Sequence, residues 1–221
     1  DKEVWIMEII GKGEEKGAVW VAMRIPEGYI SAHANHARIT TFPLQVKKSY
    51  KSINSKSLKH IFRPEVEVVY SHDVITFARQ KGYFNGKDQE FSFSDVYAPI
   101  NFSAARGCES RVWSIFRRCN SQMQQYEDYA MGHNLTNRMP LWIKPDKALT
   151  VQDVMELMRD HFQGTQMDMT QDLGAGPFEC PYRWRPMGFT VDGQEYVHER
   201  AISTQQTGFS MVIESRENMP T

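Results

Sequence analysis

The sequence predicts an α+β fold. Three observations lead there: strand-like apolar runs near the start, helical patterning through the middle, and strand-like runs again near the end. Strands and helices grouped along a chain in this way argue for layers of each type rather than for a βαβ alternation. A chain of 221 residues, 41% apolar and 24% charged, can bury a sizeable core as one large domain or two small ones. The net charge of −1 offers no electrostatic case for nucleic acid or an anionic membrane. No apolar run approaches the roughly 18–20 residues of a spanning helix, and no signal-peptide pattern is present. Cys108, Cys119 and Cys180 cannot all pair and show no CxxC spacing, so they do not fix the redox compartment.

Residues 3–10 and 18–24 are apolar at both alternating sets of positions, and a glycine-rich polar turn at 11–17 separates them. This predicts a hairpin in a sheet covered on both faces. Pro26-Glu27-Gly28 turns the chain before 29–32. Residues 41–70 mix lysines with polar residues and few aromatics, and read as a loop-rich surface excursion. Ser71 or Asp73 starts a helix that runs to Lys81 and ends at Gly82. Ser103 caps the next helix, with Val112, Trp113, Ile115 and Phe116 as its buried stripe.

A second helix is expected over 122–131, followed by an extended connector around Leu141-Trp142-Ile143 between Pro140 and Pro145. The clearest helix spans 150–162. Thr150 and Asp153 form a capping-box start, and Val151, Val154, Leu157, Met158 and His161 form the stripe. Residues 163–194 form a second loop-rich excursion, and within it 174–186 holds too much glycine, proline and aromatic for regular structure. Two last strands are expected near 196–203 and 209–215, joined across Thr207-Gly208.

The candidate chemistry centres on 31–39, where Asn35, His33, His36 and Arg38 lie among small residues. An amide at a strand end suits a ligand oxygen, and Asn is equally at home capping a turn. His33 and His36 are three apart, but no third metal ligand lies nearby. In Tyr182-Arg183-Trp184-Arg185, the planar cations of Arg183 and Arg185 suit a substrate carboxylate or a partner surface; stacking on the neighbouring rings is the structural alternative.

The order of motifs carries a resemblance. Glu3-Val4-Trp5-Ile6-Met7-Glu8, Trp20-Val21-Ala22-Met23-Arg24-Ile25-Pro26 and Ala34-Asn35-His36-Ala37-Arg38-Ile39 are similar to segments of the PepD-type dipeptidases. So are Lys144-Pro145-Asp146, Asp153-Val154-Met155, Arg159-Asp160-His161-Phe162-Gln163-Gly164-Thr165 and Glu199-Arg200-Ala201-Ile202-Ser203. Gln163 departs from the acidic residue often found there. The resemblance covers essentially the whole chain. It implies the αββα four-layer sandwich of the N-terminal-nucleophile hydrolases, incomplete in this chain, with 1–221 as the later part of a single domain. It also implies hydrolysis of short peptides, dipeptides first, by a cysteine thiolate at the mature N-terminus through an acyl-enzyme, with no metal and no organic cofactor.

Because the first residue is Asp1, the nucleophile-bearing portion is expected to be missing, and the chain alone is expected to be inactive. Its partners are then a dipeptide or short-peptide substrate and the missing N-terminal portion, with a second copy of the chain as a further candidate and no nucleic acid. The compartment stays open between cytoplasm and a secreted or periplasmic destination.

A more distant resemblance to choloylglycine and penicillin acylases implies roles for two residues. Asn35 matches a strand-end asparagine that holds the oxyanion. Arg106, in Phe102-Ser103-Ala104-Ala105-Arg106, matches an arginine beside the nucleophile, with Arg111 as competitor. The rival readings are an amide hydrolase of the same superfamily acting on acyl-amino acids or bile-acid conjugates, and a non-catalytic binding module.

Overall fold

Val21 and Ala22 are neighbours in the chain, point to opposite sides of their strand, and are both buried. A strand with that pattern lies in a sheet covered on both faces. The computed structural model describes residues 5–10, 18–183, 188–214 and 216. The chain divides into two units, Asp1–Ile100 and Asn101–Thr221. Helices and small sheets together make the α+β class expected from the sequence.

In the first unit, β1 (Trp5–Ile10) and β2 (Val19–Arg24) pair antiparallel, from Trp5 opposite Arg24 to Ile10 opposite Val19. β3 (Ile30–Ser31) is short. Within 41–70, which reads in the sequence as an excursion, β4 (Ser52–Asn54) and β5 (Val68–Tyr70) enter the same sheet, in the order β1-β2-β5-β4. β5 runs antiparallel to β2 and parallel to β4. Three-residue strands are too short for an alternating pattern to show, and only the sheet reveals them. Ile53, Val66 and Val69 form a buried cluster there, with Trp20, Tyr50 and Ile61 packed against it.

α1 (Val74–Gln80) follows Asp73 and ends before Gly82, as expected. α2 (Phe93–Tyr97) packs its rings into a set with Phe42, Phe91 and Tyr70.

The second unit opens with α3 (Phe102–Ala104), whose cap is Asn101 and not Ser103: the Asn101 carboxamide oxygen accepts from the Ala104 backbone N–H at 2.8 Å. A π turn over Ala105–Glu109 leads into α4 (Ser110–Cys119). Val112, Trp113 and Phe116 are fully buried along α4, and the Trp113 indole N–H donates to the Met123 carbonyl at 2.9 Å. The expected second helix is split into a 3₁₀ stretch, Ser121–Tyr126, and α5 (Glu127–Ala130). β6 (Trp142–Ile143) lies in the extended connector.

α6 (Val151–Leu157) has the capping box foreseen at Thr150 and Asp153. It ends five residues earlier than the sequence reading (Leu157 instead of 162), because Asp160 leaves the helix. Asp160 is buried, pairs with Arg118 at 3.2 Å and accepts the Phe162 N–H.

The last strands also differ from expectation. β7 (Gly188–Val191) and β8 (Gln194–Val197) form the hairpin, turning at Asp192-Gly193 with φ of 50° and 79°. Positive φ at both turn residues matches the twist of the flanking strands, and Asp-Gly is a favoured pair for it. Thr207 instead closes a local turn onto the Thr204 carbonyl.

Candidate active site

Asn35 sits on a loop of the first unit. Its φ of 60° is left-handed, a conformation that asparagine tolerates better than most residues. The buried Arg38 donates Nη1 to the Ala32 carbonyl at 3.2 Å, which closes the loop across its base. Beyond it, the carbonyls of Ile39 and Thr40 accept the backbone N–H groups of Ser94 and Phe93 at the start of α2. His36, Ala37, Arg38 and Ile39 are thereby buried, while His33 and Asn35 are solvent-exposed. The run of small residues thus folds into a tied loop with an amide near its tip.

Arg106 sits in the second unit, on the π turn, a local widening of the helix that is frequent at functional sites. Its Nη2 donates to the Glu199 carboxylate and its Nη1 to the Met131 sulfur. Burial pushes the Glu199 carboxyl up; the Arg106 charge opposes that shift and the Asp172 charge adds to it. Arg111, one turn on, donates Nε to the Gly107 carbonyl at 3.1 Å. Burial lowers the Arg111 guanidinium, Cys108 counters the shift and Arg200 adds to it. The buried Glu109 accepts from the Tyr129 hydroxyl at 3.2 Å behind this turn.

Arg183 is also in the second unit and is buried. Its guanidinium donates to the carbonyls of Cys180, Tyr182 and Met169 and pairs with Asp172. The cation therefore ties together the 169–183 loop that carries it. Gly174 packs against it: a Cβ there would lie 2.5 Å from Arg183 Nε. Arg185 lies outside the described residues.

Two arginines singled out in the sequence thus sit in separate ion pairs of the second unit, Arg106–Glu199 and Arg183–Asp172, and the Asp172 charge adds to the upward shift of Glu199. No pattern in the sequence marks Glu199 or Asp172 as a site residue. Glu199 stands in the Glu199-Arg200-Ala201-Ile202-Ser203 motif, but nothing in its spacing pointed to Arg106.

Of the cysteines, Cys119 is buried, and burial raises its thiol. Cys108 is half-buried beside Arg111, and Cys180 is exposed.

A family model for peptidase family C69 matches residues 1–221. Among curated proteins, the chain is 23% identical over 167 residues to a probable dipeptidase of Salmonella dublin, covering 76% of this chain and 32% of that one. It is 21% identical over 220 residues to a probable dipeptidase of Latilactobacillus sakei, covering 100% of this chain and 36% of that protein. It is 22% identical over 182 residues to a dipeptidase of Bifidobacterium longum, covering 82% and 31%. The chain spans about a third of the length of these curated relatives.

Proposed function

This chain belongs to peptidase family C69, and from that premise we propose that it is part of a dipeptidase that hydrolyses dipeptides and other short peptides. The attacking group is a cysteine thiolate at the mature N-terminus, outside residues 1–221. None of Cys108, Cys119 and Cys180 is proposed for that role. The proposed framework is the αββα four-layer sandwich of N-terminal-nucleophile hydrolases. A sheet buried on both faces in the first unit supports it.

In the proposed reaction the thiolate sulfur bonds to the peptide carbonyl carbon, and the carbonyl electrons move to oxygen. The tetrahedral oxyanion collapses, the C–N bond breaks, and the leaving amine takes a proton from the N-terminal amine. Water then hydrolyses the thioester and releases the acid. The Asn35 side-chain N–H donates to the oxyanion, a contact stronger in the transition state than in the ground state. The Arg106 cation favours the thiolate. Arg183 and Arg185 are the two arginines proposed to bind the substrate carboxylate.

The observation that carries this reading is the presentation of Asn35: solvent-exposed, in a left-handed conformation, on a loop tied by the Arg38–Ala32 hydrogen bond. The test uses the natural full-length protein. Its N-terminal residue is identified, it is assayed on a panel of dipeptides and acyl amides, and it is then treated with iodoacetamide. Dipeptide hydrolysis abolished by alkylation of an N-terminal cysteine is the expected result. Cleavage of acyl-amino acids without dipeptides moves the reading to another amide hydrolase. A protein that turns over neither class, and has no reactive N-terminal thiol, overturns it.

A further inference from the structure

The whole-chain charge of −1 conceals an uneven distribution. Residues 46–67 hold six cations, Lys47, Lys48, Lys51, Lys56, Lys59 and Arg63, against two carboxylates, Glu65 and Glu67. Glu67 pairs with Lys51 at 3.5 Å and Glu65 with Arg63 at 3.4 Å, and all four of these side chains are open to solvent. Among the described residues no carboxylate pairs with Lys47, Lys48, Lys56 or Lys59, and each of these lysines is exposed. His60 is pushed below the ordinary imidazole value, first by burial and then by Arg63 and Lys59, so it adds no charge at neutral pH. The stretch therefore carries a net charge of +4.

The same stretch exposes three apolar side chains: Phe62 is 97% exposed, Val46 65% and Leu58 41%. The fold of the first unit holds them near the cations. Gln45 accepts the Asn54 backbone N–H at 3.2 Å and donates to the Ser57 hydroxyl at 3.5 Å. Those bonds lay the turn at 46–49 beside the 3₁₀ stretch Ser55–His60. The Tyr50 ring lies against His60, centroids 4.6 Å apart, and the Arg63 guanidinium sits 4.0 Å over the same ring. Ile61 packs on the buried cluster of Ile53, Val66 and Val69, which leaves Phe62, one residue on, in solvent.

A phenylalanine held in water forgoes the gain of burial, whereas solvated lysines are at home there. Lysines are also depleted from the buried centres of protein interfaces. An anionic bilayer answers both features. Its headgroups strengthen binding about fivefold for each nearby Lys or Arg, and apolar side chains enter the boundary between headgroups and acyl chains. Single-stranded nucleic acid is held by rings stacked on bases, and two of the three exposed apolar side chains here are aliphatic. We propose that the face formed by 46–63 docks on an anionic membrane surface, with Phe62 entering the acyl boundary and the lysines meeting the headgroups. This docking does not depend on the reaction proposed above, and its test needs no turnover.

The natural full-length protein is sedimented with vesicles of phosphatidylcholine, and with vesicles of phosphatidylcholine and phosphatidylserine in a three-to-one mixture. Saturable binding to the mixed vesicles alone is expected, and it falls as salt is raised because the charges are screened. Replacing Lys56→Glu and Lys59→Glu together should weaken it by roughly tenfold or more. Phe62→Ser alters a side chain that is almost wholly in solvent, and should weaken binding by roughly fivefold or more at unchanged Tm. Equal binding to both kinds of vesicle, binding to neither, or unchanged binding by a folded Phe62→Ser protein would overturn the proposal. So would binding to polyuridylate or polyglutamate in place of vesicles, which assigns the face to a nucleic acid or to an acidic protein.

Discussion

The guanidinium of Arg106 is paired with the carboxylate of Glu199, 93 residues further along the chain, and the two side chains are only 12% and 15% exposed. A cation held in this way has a fixed position, which a loose surface arginine would not have. Its charge is also partly answered by Glu199 before any thiolate comes near. In the proposed reaction, the pair sets how much of the Arg106 charge reaches the nucleophile.

In the full-length protein, Arg106→Ala should raise the pKa of the nucleophilic thiol by about 1–2 units, because an opposite charge at short range stabilises the ionised form. Glu199→Gln should move it the other way, by leaving Arg106 without its carboxylate. The rate of iodoacetamide alkylation as a function of pH reads both. Alkylation profiles that superimpose for the parent and both variants would remove Arg106 from the reaction.

Glu199 also makes a stability prediction. Its folded-state pKa is raised above the ordinary 4.5, first by burial. A carboxyl raised on folding contributes stability that is present below its unfolded pKa and is lost as pH rises through the folded value. The parent chain should therefore lose a component of Tm as pH climbs above about 4.5, and Glu199→Gln should lack it. Thermal melts at a series of pH values, run on both proteins, make the comparison.

Asn35 can be probed by two substitutions that separate its amide from its backbone. Asn35→Ala should reduce kcat/KM by roughly a hundredfold or more, from the loss of an oxyanion donor. Asn35→Gly should lose as much activity while keeping the left-handed conformation unstrained. If the glycine variant were nearly as active as the parent, the amide would have only a backbone role.

The capping box of α6 should be visible in both stability and pH dependence. Thr150→Ala should cost about 1 kcal/mol. The Asp153 carboxyl is held at about 2, first by the Thr150 backbone N–H and then by the Thr150 hydroxyl and Lys147. A carboxylate lowered on folding contributes stability above its unfolded pKa and loses it as pH falls. Between the ordinary value of 3.8 and about 2, the parent should lose Tm that Asp153→Asn does not. A calorimetric pH series decides it.

In the core of the second unit, Trp113→Ala should destabilise by about 3–5 kcal/mol, through a large cavity and an unpaired Met123 carbonyl. Gly174→Ala should act differently. It presses a methyl group onto Arg183 and loosens the 169–183 loop, so limited proteolysis there should speed up with little change in Tm. A proteolysis pattern unchanged by Gly174→Ala would show that the loop yields without cost.

By itself the sequence determined what short-range chemistry controls. The β1–β2 hairpin, α1 between Asp73 and Gly82, the Thr150–Asp153 capping box and the buried stripe of Val112, Trp113 and Phe116 all follow from patterns within a few residues. The roles proposed for Asn35 and Arg106 come from the distant resemblance to choloylglycine and penicillin acylases, and not from any local pattern. Tertiary structure decided what depends on distant partners. β4 and β5 are too short to signal themselves and exist because the sheet completes them. α6 stops at Leu157 because Asp160 is needed by Arg118. Glu199 meets Arg106, and Asp172 meets Arg183, across separations that no local pattern encodes. A buried charge must find its counter-charge wherever the folded chain brings one, and only the fold specifies which one that is.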